Sequence, residues 1–276
     1  MQSKSKPSPN GKPAARLTPK QRKARQQQQQ QMLVIGAVVV GIFLLFGIGL
    51  ALVSRPAVSG SNADARYVSI PSGVTTSGPT AAITYPTPMP YLGSPSAAVK
   101  IEEIGSFSCP ICMNYHDQKF AGYLDEIQAG HVQFIYLPTT LTGDFNAVPG
   151  TQAAYCAIQQ QPAKFWPLYD LLYDEQKRYA GDAARRDHLD ALAKQINLDG
   201  TQFDNCLDSS ASTNFVKTAD KYADDRGLRG TPTIFIYVKG QQMTTPQTSP
   251  NQTLGDMSGY SAAQIKSLIA DAYKNT

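Results

Sequence analysis

The sequence predicts an α/β fold: a sheet with an inserted helical subdomain, preceded by a single transmembrane helix. Val99–Phe107 and Val132–Leu137 are apolar, β-branched runs separated by one helical stretch, the spacing of a parallel strand–helix–strand unit. A long helical pattern then intervenes before the next β-branched run, Thr233–Val238. Met32–Val53 carries no charge over 22 residues. As a helix that run spans about 33 Å, enough to cross a bilayer core.

The N-terminal elements read in order as arm, anchor and tether. Residues 1–31 hold eight Lys or Arg, no Asp or Glu, and the glutamine run Gln26–Gln31. Nothing there builds a core, so the segment is expected to be disordered. A cleavable leader has a shorter apolar region, about 7–15 residues, so residues 32–53 read as an uncleaved signal anchor in the cell membrane. The positive-inside rule places the basic arm in the cytoplasm and the C-terminal part on the extracytoplasmic side. Residues 54–98, rich in Pro, Ser, Thr, Gly and Ala, read as a linker with a reach of roughly 35–40 Å. Within it, Tyr67-Val68-Ser69-Ile70 is a short run with some capacity to pair locally. The chain is +4 overall, yet residues 32–276 hold 17 basic and 21 acidic residues, a balance of −4. Basicity therefore belongs to the arm, and no nucleic-acid partner is expected for the domain.

Residues 99–276 suffice for one domain with its own core. Val99–Phe107 suits a central strand covered on both faces. A helix is expected from Cys109 to about Ala129, with Pro110 tolerated in its first turn because that N–H has no helical partner anyway. Helical segments follow at Gln152–Gln160, Lys164–Gln176, Arg185–Ile196, Thr201–Leu207 and Ser212–Asp225, an insertion over about 142–228. Strand signals resume at Thr233–Val238 and near Gln242–Thr245, and a last helix runs from Ser261, a candidate N-cap, to Tyr273. Phe165, Trp166, Leu168, Tyr169, Leu172 and Tyr173 fall at near-helical spacing and read as core of the insertion rather than a substrate groove.

The chemistry concentrates in residues 103–112, Glu-Ile-Gly-Ser-Phe-Ser-Cys-Pro-Ile-Cys. Two thiols three residues apart on a helix's first turn can close into a disulfide and reopen. The helix N-terminus favours a thiolate at the first, Cys109. Half a zinc site has the same spacing, but Cys156 and Cys206 are the only other cysteines and form no second C-x-x-C. A purely structural Cys109–Cys112 bond would close too short a loop to constrain the unfolded chain much. Pro232, in Gly230-Thr231-Pro232-Thr233, precedes the third strand. A cis bond there would turn the Thr231 backbone toward an extended peptide, and a trans proline opening an edge strand is the competing reading. His116, four residues after Cys112, reads as a partly exposed polar residue, with electrostatic tuning of the thiolate as the alternative.

These residues resemble the thioredoxin superfamily, specifically its DsbA-like branch. The resemblance rests on Leu92-Gly93-Ser94-Pro95, on Glu103 with the Cys109-Pro110-Ile111-Cys112 site, on Lys164-Phe165-Trp166 and on Gly230-Thr231-Pro232-Thr233. It covers roughly residues 90–276 and implies a thioredoxin-like sheet. It also implies Cys109 as nucleophile, Cys112 as resolving cysteine, Pro232 as cis proline and Glu103 as a buried acid near the resolving thiol. Thr231, Pro110 and Ile111 would meet the substrate. Some members carry a disulfide between helices of the insertion, which implies a structural Cys156–Cys206 bond in an exported compartment. Buried free thiols are the alternative for that pair. Glu102, pointing to the opposite strand face from Glu103, is expected to be the exposed carboxylate of the two.

The function expected is a membrane-tethered thiol–disulfide oxidoreductase that introduces disulfides into exported proteins, with no cofactor and no metal. Its partners would be proteins with free thiols or disulfides and a membrane redox partner, quinone-linked by family analogy. Many family oxidases carry histidine where this chain has Ile111, which keeps a reductase or isomerase open. A rival of another class is a thioredoxin-like module that holds clients without using its cysteines.

Overall fold

The computed structural model describes residues 62–76, 85–86, 88–141, 147–179, 184–245 and 253–274. All belong to one unit, Ser59–Thr276. The expected basic arm and membrane anchor lie outside the described residues. No helix among the described residues is long and apolar enough to cross a membrane.

The sheet is built around β3 (Val99–Gly105) and β4 (Val132–Pro138), which run parallel from Val99 opposite Val132 to Gly105 opposite Pro138. β5 (Thr233–Val238) pairs antiparallel with β3, and β6 (Gln241–Gln242) with β5. Two further strands, β1 (Ser72–Thr75) and β2 (Met89–Gly93), extend the other side, giving the order β1-β2-β4-β3-β5-β6. Residues 62–76 and 88–98 are therefore folded onto the domain rather than forming part of a free tether. Helix α1 (Asn62–Tyr67) and the turn after it bury Tyr67 and Ile70, so that run does not pair as a strand. Met89 and Leu92 have no exposed surface. Composition misled here because β1 and β2 are short and rich in Gly, Pro and Ser; β2 persists by pairing with β4 and β1 by pairing with β2, terms that local composition does not contain. Gly93 (φ +83°) ends β2 where a Cβ would sit 2.1 Å from the Val132 carbonyl, so glycine is required.

The helix expected over 109–129 is broken. α2 (Pro110–Gln118) ends at Lys119, a 3-10 turn covers Phe120–Tyr123, and α3 (Leu124–Gln128) leads into β4. Phe120 and Tyr123 are fully buried by this turn. A Cβ on Gly122 would come within 2.6 Å of the Ala262 Cβ, where the C-terminal helix approaches. Glycine makes that approach feasible and weakens the helix at the same point.

The insertion comprises α4 (Ala147–Gln160), α5 (Phe165–Tyr179), α6 (Arg186–Gln195), α7 (Gly200–Leu207) and α8 (Ser210–Asp225). Asp199 and Ser209 cap α7 and α8 by accepting from Gln202 N and Ser212 N. Cys156 on α4 is bonded to Cys206 on α7, with Cα atoms 5.7 Å apart. The last helix, α9, spans Ala262–Lys274, and the Ser261 hydroxyl accepts from Gln264 N.

Both faces of the sheet are covered. One carries the aromatic cluster of Phe107, Phe120, Phe134, Tyr136, Trp166 and Tyr169. On the other, Ile104, Ile135, Leu137 and Phe235 pack with Ala219, Tyr222 and Ala223 of α8. Double coverage corrects the expectation for Glu102, which is as fully buried as Glu103. Strand alternation separates the two carboxylates correctly, but neither face is left to solvent.

Candidate active site

β3 delivers the chain to the site, and α2 begins there. Cys109 is the N-cap of α2, with extended backbone (φ −87°, ψ 117°), and Pro110 follows as the first helical residue. Both thiols are free. Cys109 is 8% exposed and Cys112 fully buried, whereas Pro110 and Ile111 lie at the surface, Ile111 at 65%. The order of accessibility follows from the first turn: the N-cap faces outward, and the residue three positions on faces the core.

The Thr231–Pro232 bond is cis, and the Cys109 thiol lies 3.4 Å from the Thr231 carbonyl, to which it donates. Residues separated by 122 positions thus meet. On the inner side, Ser106 N donates to Cys112 Sγ at 3.4 Å.

The two thiols are driven apart electrostatically. A hydrogen bond from the Cys112 thiol, the largest influence, holds Cys109 down at about 5, with help from the Thr231 side chain and the backbone N–H groups of Cys112 and Ile111, against the opposing effect of burial. Burial pushes Cys112 well above its ordinary value, and donation to Cys109 together with the charges of Cys109 and Glu103 adds to this. Glu103 is pushed up to about 8, chiefly by burial. The Tyr169 hydroxyl, 3.2 Å from Glu103 Oε2, opposes the rise, and the Cys109 charge adds to it. Glu103 Oε1 is buried without a hydrogen-bond partner.

Cys156 and Cys206 form a bond of their own, so no four-cysteine metal site exists. His116 is buried rather than partly exposed. Its ring nitrogens lie 2.6 Å from Asp170 and 2.9 Å from Asp117. Asp170 also accepts from Arg66 at 3.1 Å and from the Tyr67 hydroxyl at 2.9 Å, tying α1 and α5 to the helix that carries the cysteines.

Sequence reasoning missed the polar ends of the aromatic run. Tyr169 belongs to the run read as core packing, and its place in the aromatic cluster bears that out, whereas Asp170 lies outside that reading. A buried tyrosine hydroxyl demands a partner, and that demand was the available signal. Also missed was a cleft of about 380 Å³ beside the cysteines, lined by Ile111, Asn114, Lys119, Arg229, Thr231 and Asp256 among others. Asp256 anchors its far wall, accepting from Ile234 N and Ser258 N.

Residues 86–252 match the thioredoxin family. The chain belongs to that family. This thioredoxin-family protein is 26% identical over 148 residues to a Bacillus cereus protein named "Probable disulfide bond formation protein D", covering 52% of this chain and 68% of that one. Its fold is similar to BdbD from Bacillus subtilis in the oxidised form (TM-score 0.55, 19% identity, 74% of this chain and 98% of the other). It is also similar to α-DsbA1 from Wolbachia pipientis (TM-score 0.54, 16% identity, 67% and 90%). The chain is a thiol–disulfide oxidoreductase.

Proposed function

We propose that this enzyme introduces disulfides into exported proteins from a membrane-tethered position, using Cys109 and Cys112. The observation that carries the reading is the placement of the two thiols, Cys109 at the N-cap of α2 against the Thr231 carbonyl and Cys112 fully buried three residues on, which lowers the pKa of the one and raises that of the other. Stabilising one thiolate favours the reduced site, which makes the oxidised site a stronger oxidant.

A client thiolate attacks Cys109 Sγ of the oxidised site, and the Cys109–Cys112 bond breaks with its electron pair leaving on Cys112. Glu103, as the acid, supplies the proton that Cys112 takes. A second client thiolate attacks the client sulfur of the mixed disulfide, and Cys109 departs as a thiolate. The client dithiol is oxidised and the site disulfide reduced. A low-pKa leaving group speeds this release. During both steps the client backbone would lie along Thr231 by strand addition, with Pro110 and Ile111 at its edge. The uncharged run 32–53 supports a single-pass anchor with the catalytic domain outside the cytoplasm. Reoxidation requires an electron acceptor, which by family analogy is a quinone-linked membrane protein.

Ile111 favours a second reading, a reductase or isomerase, because an exposed apolar side chain offers the Cys109 thiolate neither charge nor hydrogen bond. Equilibrium titration against glutathione decides between them, together with mixing the oxidised protein and a reduced, unfolded client. Stoichiometric client oxidation is expected; a potential as reducing as that of cytosolic thioredoxins overturns the oxidase reading.

A further inference from the structure

Tyr169 does more than fill the core. It has no exposed surface, and its hydroxyl donates to Glu103 Oε2 at 3.2 Å. The ring is held by Phe107, His116, Phe120, Tyr136 and Tyr173 at centroid separations of 4.8–6.2 Å. Other tyrosine hydroxyls nearby are engaged with each other, Tyr115 with Tyr123 at 3.1 Å and Tyr136 with Tyr173 at 3.0 Å. Of the two carboxylate oxygens, Oε2 is therefore occupied and Oε1 has no partner.

We propose that Tyr169 is a positioning residue for the proton step at Cys112: its hydroxyl pins Oε2 of Glu103 and leaves Oε1 as the oxygen that takes and returns the proton. The proposal rests on the reading of Glu103 as proton partner of Cys112. In the resolving direction the Cys112 proton goes to Oε1. The freed electron pair forms the Cys112–Cys109 bond, and the bond from Cys109 to the client sulfur breaks, its pair leaving on that sulfur. Glu103 passes from carboxylate to acid, the site is oxidised and the client sulfur reduced, so the step needs no further reactant. The opposite direction retraces it.

A donor on Oε2 favours the ionised carboxyl, in opposition to burial. Without that donor, Glu103 should hold its proton to higher pH and accept one from Cys112 only at higher pH. The test is resolution of the mixed disulfide between Cys109 and glutathione in the full chain, followed by rapid quench across pH. Tyr169→Phe keeps the ring and removes the donor. Its midpoint should move alkaline by about 0.5–1 pH unit, the worth of one hydrogen bond. On a Glu103→Gln background the same substitution should shift nothing. A Tyr169→Phe profile that superimposes on the wild type, while Glu103→Gln changes it, overturns the proposal. A Glu103→Gln profile equal to the wild type overturns the Glu103 reading and the proposal with it. Should Tyr169→Phe fail to fold, infrared difference spectra of the wild type serve. The Glu103 acid carbonyl band, identified by its loss in Glu103→Gln, should lie at the lowered frequency of a hydrogen-bonded carbonyl. A band at the position of a free carbonyl overturns the proposal.

Discussion

Glu102 and Glu103 are neighbours in one strand, neither has exposed surface, and they sit in opposite electrostatic worlds. Glu102 faces α8 and is closed off by donors: the Tyr222 hydroxyl at 2.6 Å, the Tyr237 hydroxyl at 3.2 Å and Arg226 at 3.3 Å. Arg226 is itself wedged over the Phe235 ring at 4.1 Å. Glu103 faces α2 and α5, receives one hydroxyl, and has one oxygen with nothing. A buried charge that is paired and fully hydrogen-bonded is a fixed part of the structure, whereas one left half-satisfied is held neutral until pH or a reaction asks otherwise. The strand thus places a fully paired carboxylate and a half-satisfied one back to back.

The largest expected effect lies on the Glu102 side. Glu102→Gln leaves the half-buried Arg226 without its counter-charge and should cost about 3 kcal/mol in denaturant unfolding, the low end for breaking a buried pair. The Cys109 thiolate absorbance titration should stay where it is. A shifted titration would mean that the two sides are not insulated, and the contrast would break.

Glu103→Gln should behave in the opposite way. Glu103 has a folded value near 8 against an ordinary 4.5, so the fold favours its acid form. Its contribution is fully present below about 4.5 and is lost as pH rises through about 8, on the order of 1 kcal/mol per pH unit. Cys109 slopes the other way: its lowered value gives stability present above 9 and lost as pH falls through about 5. The oxidised protein, in which neither site cysteine titrates, isolates the carboxyl. There, without the Cys109 charge, burial alone raises the carboxyl, and the wild type should lose stability relative to Glu103→Gln as pH rises above 4.5, read from unfolding midpoints. Parallel curves would remove the raised acid from the account.

Smaller effects sharpen the Glu102 side. Tyr222→Phe removes its shortest donor and should cost about 1.5–3 kcal/mol, the range for a hydrogen bond to a charged group. Tyr237→Phe should cost less, about 0.5–1.5 kcal/mol, because its hydroxyl sits farther from the carboxylate, at 3.2 Å against 2.6 Å, although both hydroxyls also accept from Arg226. Equal losses would mean that the network responds as a unit rather than bond by bond.

How far the amino-acid sequence discloses this arrangement depends on the range of the forces involved. The cysteine pair, Pro110 in the first turn and the β-branched run after Pro232 are local patterns, and each appears where its chemistry requires. The helices of the insertion lie within a few residues of their periodic runs, because amphipathic spacing is itself local. Long-range closure is harder to read. Leu92 is buried where β2 pairs with β4, Met89 by packing with Ile135 and Leu137, and Glu102 by a helix more than a hundred residues away. His116 gives no sign in sequence that Asp170 will meet it. Alternation along β3 assigns the two glutamates to different faces, but only the packed helices decide what each face contains.

The sheet's edges have a consequence for the client proteins proposed above. An open strand is a template for any extended peptide, and long exposed edges lead to indiscriminate pairing and aggregation. Here the edge strands are β1, four residues with a glycine, and β6, two residues. Neither offers a ladder long enough to capture a passing polypeptide. On the function proposed above, backbone pairing by a client would be left to Thr231, whose carbonyl lies beside the Cys109 sulfur.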